Sequence, residues 1–180
     1  MSEILGVLFA VLVGIMVIPK YTEYQTASNN NTRAAITAQQ QTQIDAAATT
    51  YIKQNAVAIE AAATATTPVV LTVPMLQTAG LPTAFSATNP YGQTWQVEVL
   101  QPTAGDLQAL SMSTGGTAVP DAQASKIASL VGATGGLIPK NDSGIFPGGA
   151  ANAVGSYSGW TIPTANYTSV AGGHPAALLT

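Results

Sequence analysis

The chain has 180 residues, room for one domain plus an N-terminal segment. Only 7% of them are charged, and the five basic residues, Lys20, Arg33, Lys53, Lys126 and Lys140, are scattered, so no phosphate-tracking stripe forms and direct nucleic-acid binding is not expected. The absence of cysteine excludes a disulfide framework and thiol chemistry, while a net charge of −3 with small residues dominating suits either a secreted surface or one covered by copies of itself.

The first predicted element is the run ILGVLFAVLVGIMVI at residues 4–18, fifteen residues without a charge, hydroxyl or amide. As a helix it is roughly 22 Å long at about 1.5 Å per residue, and it approaches a bilayer span only when the flank through Tyr24 is counted. Tyr21 and Tyr24 are then interfacial, with Lys20 extended beside them. Glu3 stands just before the run. It either stays at the headgroup level or, in a packed assembly of such helices, meets the free α-amino group of a neighbouring chain. Gly6 and Gly14 permit close helix contact, and Pro19 weakens the end of the ladder. Met1-Ser2-Glu3 is acidic and no small-residue cleavage site follows the core, so the run reads as a retained segment and not a removed signal peptide.

Ser28-Asn29-Asn30-Asn31-Thr32 reads as a break, with Thr32 capping a second helix over residues 34–63. Ile36, Ile44, Ala48, Tyr51, Ile52 and Ile59 fall near its apolar face, while Gln39, Gln40, Gln41, Gln43, Asp45, Lys53 and Glu60 supply polar positions around it. Thr66-Thr67-Pro68 stops it. The texture then turns to short elements: a strand at residues 69–73, a helical turn around Met75-Leu76-Gln77 entered at Thr72 or Val73 and closed by Gly80, and a turn at Asn89-Pro90-Tyr91-Gly92.

Residues 93–100 alternate as a strand, with Trp95, Val97 and Val99 on one side, and residues 107–112 form its antiparallel partner. Residues 120–131 read as an amphipathic helix with Ala122, Ile127, Leu130 and Val131 inward and an exit at Gly132 or Gly135-Gly136. Two short strands are expected near residues 159–162 and 174–179, among long loops. The predicted class is α+β: a long N-terminal apolar helix over residues 1–24, an amphipathic helical continuation over 25–63, and a small antiparallel-sheet head over 64–180.

Sites for chemistry are scarce. His174 is the only histidine, read as a turn residue far in sequence from any acid; Asp106, Asp121 and Asp142 are isolated, with no Cys or His cluster beside them. Four glycine doublets, at 115–116, 135–136, 148–149 and 172–173, lack the strand-to-helix context of a phosphate loop and read as turns. Asn30, Asn141 and Asn166 head glycosylation-type triplets. No catalytic residue, cofactor or metal is expected, and the chain is not read as an enzyme.

An apolar N-terminal helix with an early Glu, a long Ala- and Gln-rich helix and a small α+β head resembles the plan of the type IV pilins. Residues 51–68, ending Ala62-Ala63-Thr64-Ala65-Thr66-Thr67-Pro68, then Met75-Leu76-Gln77-Thr78-Ala79-Gly80-Leu81-Pro82, then Ser111-Met112-Ser113-Thr114-Gly115-Gly116-Thr117, are similar to the N-terminal domain of shufflon-type minor pilins of conjugative type IVb pili. The stretches 160–167 and 173–179 are similar as well.

The resemblance implies a prepilin cut by a membrane-embedded prepilin peptidase so that Met1 becomes the N-terminus, often methylated. The subunit waits in the inner membrane and then packs with copies of itself, through the pilus assembly machinery, into an extracellular filament used in adhesion, conjugation or related surface functions. Glu3 would pair with a neighbour's terminal amine, and Gly14 and Pro19 would bound the segment that melts on assembly. Met1, Glu3, Gly14 and Pro19 are thus the candidate assembly residues. The alternatives are a minor pilin or pseudopilin priming a secretion or DNA-uptake machine, and a membrane-anchored binding or enzymatic domain. Three departures stand out: the acid is third and not fifth, there is no disulfide, and residues to Thr180 hold no counterpart of a stalk and recipient-recognising tip, which favours a filament subunit.

Overall fold

A computed structural model describes the backbone of residues 2–179 and the side chains of residue 20 and residues 22–179. Helix α1 runs Ser2–Gln54 without the expected break at residues 28–32. Thr32 does not cap a new helix; its hydroxyl donates back to the Ser28 carbonyl one turn earlier, at 3.1 Å. Ser and Asn have modest helix propensity, a cost of a few tenths of a kcal/mol each that an established helix absorbs. The ladder ends instead at Asn55, whose side chain donates to the Tyr51 carbonyl, and a short helix α2 follows at Ala56–Ala62.

Among the described residues no helix is long and apolar enough to cross a membrane. The run at residues 4–18, on which the membrane-span expectation rests, has its side chains outside them. Two compact units divide the chain, Met1–Arg33 and Ala34–Thr180. In the first, the described residues are helical and Tyr24 is exposed.

The second unit is built on one seven-stranded antiparallel sheet, larger than the small head expected. Its strands are β1 (Val69–Leu71), β2 (Thr94–Thr103), β3 (Asp106–Thr114), β4 (Gly135–Ile138), β5 (Asn152–Gly155), β6 (Thr161–Pro163) and β7 (His174–Leu179), in the spatial order β1-β2-β3-β7-β4-β5-β6. The expected β2–β3 hairpin is present, with Trp95 opposite Ser113 and Val97 opposite Ser111. Helix α3 (Val73–Gln77) starts at Thr72 with Pro74 in its first turn, and Gly80 follows at φ +104°.

β4 and β5 lie where turns and a loop are expected from sequence. Their glycines stand where a side chain will not fit. A Cβ on Gly135 would lie 2.4 Å from the Ala128 carbonyl oxygen, and one on Gly136 or Gly155 would lie 2.5 Å from the Trp160 ring. The doublet 135–136 therefore marks close approach within a strand, not a turn.

Three apolar clusters fill the unit. One joins α1 and α2 to β1, β2, β3 and β7 through Ile44, Ala48, Ile59, Leu71, Trp95, Val97 and Val99. A second joins Ala34 and Ala38 of α1 to helix α4 (Asp121–Val131) and Leu137. The third lies with Leu100, Leu110, Met112, Ile138, Ile162 and Tyr167. The inward residues of α4 are Ala124, Ile127 and Ala128; Ala122 and Leu130, expected inward, are exposed, as is Ile36 on α1.

Candidate functional site

Of the four candidate assembly residues, Met1 lies outside the described residues, and the side chains of Glu3, Gly14 and Pro19 do too. What is described is the backbone, helical through positions 3, 14 and 19. These four therefore lie outside what the structure describes of side chains, and the polar chemistry that can be followed sits in the second unit.

The inner face of α1 carries Thr37, Gln41 and Asp45 at four-residue spacing, in line with the buried Ala34, Ala38, Ile44 and Ala48. One turn is 3.6 residues, so this spacing stacks all of them on one stripe against the sheet. Read from sequence as polar surface, Gln41 and Asp45 are instead buried, at 0% and 8% exposure. Ser111 on β3 donates its hydroxyl to Asp45 Oδ1, while Asp45 Oδ2 and both amide atoms of Gln41 have no hydrogen-bond partner. Burial pushes the Asp45 carboxyl up to about 7, against the lowering effect of the Ser111 bond. The available signal was the four-residue repeat itself, running through a line of small apolar residues.

A second network is fully connected. Gln93 Oε1 accepts from Ser113 Oγ (2.8 Å) and Asn89 Nδ2 (2.9 Å), and its Nε2 donates to the carbonyls of Thr117 (2.8 Å) and Gly173 (3.1 Å). It ties the Asn89-to-Gly92 turn to β3 and to the entrance of β7. His174, read as a turn residue, belongs to the same region and opens the expected strand. It is buried at the first position of β7, with Nδ1 2.8 Å from the Ala171 carbonyl oxygen and Nε2 2.9 Å from that of Gly115. Both ring nitrogens are thus engaged by backbone, which makes the ring a clasp between two loops.

A third cluster pins the segment after β6. The buried Glu98 accepts from the Thr168 backbone N–H at 2.7 Å, from the Thr168 hydroxyl and from Gln96 Nε2 at 2.9 Å. Burial raises the Glu98 carboxyl despite the two Thr168 bonds; burial, then the Glu98 charge, raises the neighbouring Tyr167 phenol. Tyr167 donates to Gln108 Oε1 at 3.1 Å. Asn166, one of the triplet asparagines, donates to the Ala65 carbonyl, and Asn141 donates to Asp121.

Among the described residues no group of three His, Asp or Glu side chains could hold a metal ion. Two open grooves are lined by small and apolar residues. One of about 360 Å³ runs between α1 at Ala46, Ala47 and Thr50 and the Gly80-Leu81-Pro82 turn. The other, of about 230 Å³, lies between α4, Ile145-Phe146 and the 3-10 turn Ser156–Ser158. Neither contains Asp45, Glu98 or His174. The chemistry on view is packing and hydrogen bonding that fix one sheet and its loops.

The family described as bacterial shufflon protein, N-terminal constant region, matches residues 28–180. Among curated proteins, shufflon proteins A', B and A of Escherichia coli are each 33% identical to the chain over 138 residues, 74% of its length. The chain spans only 27 to 30% of the length of these relatives. No solved structure matches it significantly.

Proposed function

The chain belongs to the family of the bacterial shufflon protein N-terminal constant region, and from that premise we propose that it is a structural subunit of an extracellular type IV pilus, not an enzyme. The observation that carries the reading is the joining of that family's domain, from residue 28 onward, to an uninterrupted helix whose first part holds the charge-free run at residues 4–18. A helix that apolar needs cover on all sides, which a membrane supplies before assembly and a bundle of identical helices supplies afterwards.

On this reading a prepilin peptidase frees Met1, and the assembly machinery lifts the subunit from the inner membrane into a thin filament. Glu3 pairs there with a neighbour's terminal amine; in a dry bundle such a pair fixes register more than it adds net stability. The helical ladder between Gly14 and Pro19 yields during packing, because proline has no N–H to give it. The head coats the filament; with only 7% of the whole chain charged, mostly small and polar side chains are left for contact with other copies.

The test is electron microscopy of material sheared from cells that make the chain, with the intact mass of the subunit it contains. Thin filaments composed mainly of this chain, beginning at Met1 and carrying one added methyl group, are the expected result. Recovery of the chain only in the membrane fraction, without fibres, would overturn the reading in favour of a priming pseudopilin or an anchored domain.

A further inference from the structure

Helix α1 and the sheet do not meet through apolar side chains alone. Of the apolar clusters, one takes Ile44, Ala47 and Ala48 from α1 and another takes Ala34 and Ala38. Between these two groups stands Gln41, 0% exposed, with Asp45 one turn further along the same face. α1 runs against the direction of β3 here. Asp45 takes the Ser111 hydroxyl, while Gln40 Oε1 lies 3.5 Å from the Trp95 indole nitrogen, and Trp95 on β2 is opposite Ser113. Ser111 and Ser113 are two apart on one strand and share a side of the sheet, so a polar line on β3 follows the polar stripe on α1.

Protein atoms do not complete this seam. Gln41 Nε2, Gln41 Oε1 and Asp45 Oδ2 are buried without a hydrogen-bond partner. Among the described residues, the Asp45 carboxyl is also met by no cation from the elements around it. Glu98 of β2 is in the alternate set to Val97 and is bonded to Thr168; His174 of β7 lies between two loop carbonyls; Asp121 of α4 accepts from the backbone at residues 140–141. Asp106 of β3, Lys126 of α4 and Lys53, two turns along α1, are exposed; Glu60 of α2 is another acid, and Arg33 stands three turns back. The three unpartnered atoms are one donor and two acceptors, within a single turn of helix. The side chains beside them are small: Ala38 and Ala48 on α1, and Ser111 with its cross-strand neighbour Ala177 on the sheet.

We infer that Gln41, Asp45 and Ser111 bind an internal water molecule between α1 and the sheet, and that Gln41 is the residue that positions it against the carboxyl. With Asp45 ionised, the water accepts from Gln41 Nε2 and donates to Asp45 Oδ2 and to Ser111 Oγ. With Asp45 protonated, the acid donates to the water, and the Gln41 amide, turned by half a revolution, offers Oε1 as the acceptor. Three bonds are the usual number for a buried water. Ser111 has room for one, because its proton goes to Asp45 Oδ1 and its lone pairs stay open. Burial already holds the Asp45 carboxyl up at about 7. Removing the amide leaves the carboxylate with Ser111 alone, so the carboxyl rises further. The site lies within the head and stands whether or not the chain forms filaments.

The full chain, isotope-labelled and held in mild detergent, is compared with Gln41→Met by nuclear magnetic resonance. Methionine matches glutamine in length and brings no hydrogen-bonding group to the seam. In the wild type, rotating-frame cross-peaks from a long-lived water are expected at the Gln41 side-chain amide and at Ser111, and the Gln41 amide signals should move with the same midpoint as the Asp45 carboxyl carbon. In Gln41→Met the Ser111 cross-peak should vanish and the Asp45 midpoint should rise by about one pH unit, the equivalent of losing one hydrogen bond to a charged group. A side chain that merely fills space would leave that midpoint where it is. Wild-type spectra without a water contact at Gln41 would overturn the site, and they decide the matter by themselves where Gln41→Met does not fold. A Ser111 cross-peak or an Asp45 midpoint unchanged in folded Gln41→Met would overturn it as well.

Discussion

Asp45→Asn is expected to stabilise the head at neutral and alkaline pH and to leave it unchanged in acid. Burial raises the Asp45 carboxyl from its ordinary 3.8 to about 7 in the folded chain, and its Oδ2 has no partner. Between about pH 4 and pH 7 the unfolded chain releases this proton while the folded chain keeps it, so stability is greatest below pH 4, falls through that window and is level above it. Each pKa unit is worth about 1.4 kcal/mol, so the full loss is on the order of 4 kcal/mol. Asparagine has nearly the same shape and an oxygen to accept from Ser111, but no charge to bury. Thermal and urea unfolding of the full chain in mild detergent, followed by circular dichroism at pH 4 and pH 8, measures it. For a head of this size, a gain of that order at pH 8 corresponds to roughly 10 °C in melting temperature. Parallel stability-against-pH curves for the two proteins would refute the reasoning, and so would a variant less stable than wild type at pH 8.

Glu98→Gln replaces one of two accepting oxygens with a donor opposite Thr168, and should cost about 1–3 kcal/mol and speed amide exchange at Thr168; unchanged exchange there would show that the carboxylate does not hold the loop. Gly155→Ala puts a methyl group 2.5 Å from the Trp160 ring, and overpacking of this kind costs about 1–3 kcal/mol. The cost should shrink in a Trp160→Leu background, and a double-mutant cycle with no coupling would count against that contact. Glu3→Ala should reduce the yield of sheared filaments while membrane insertion, followed by fractionation, stays as in wild type; undiminished piliation would remove Glu3 from the assembly step.

The elements legible in the sequence are those whose side chains alternate with the local period. Trp95, Val97 and Val99 gave away the hairpin. Ile127 gave away α4, although Ala122 and Leu130, read as inward with it, are exposed and the buried Ala124 and Ala128 were not among the inward residues read. β4 and β5 were hidden because strands are recognised by β-branched and aromatic residues, whereas Gly135, Gly136 and Gly155 are there to let Val131, Ala128 and Trp160 come close. The break placed at residues 28–32 followed local propensity, and a long helix overrode it. Among functional features, the expected assembly residues fall at positions whose side chains are not described. The buried Asp45, Glu98 and His174 were missed because a polar residue on an amphipathic pattern reads as solvent-facing until its partners, 66, 70 and 59 positions away in sequence, are known.

The polar stripe on α1 costs the fold stability: three buried polar atoms without partners, at about 1–3 kcal/mol each where nothing else satisfies them. Buried polar groups do not always bring specificity in return, so the case here has to be positional. Sliding α1 by one turn along the sheet would move Ala48 into the place of Ile44 and Thr49 into the place of Asp45. The first exchange opens space beside Leu71 and Val97, within the same cluster, and the second takes the carboxylate away from Ser111. An all-alanine stripe would permit that slide at little cost, since every position would present the same methyl group. A helix whose buried face is mostly small residues has little shape with which to fix its own register, and Ile44 and Asp45 are the two side chains that supply it.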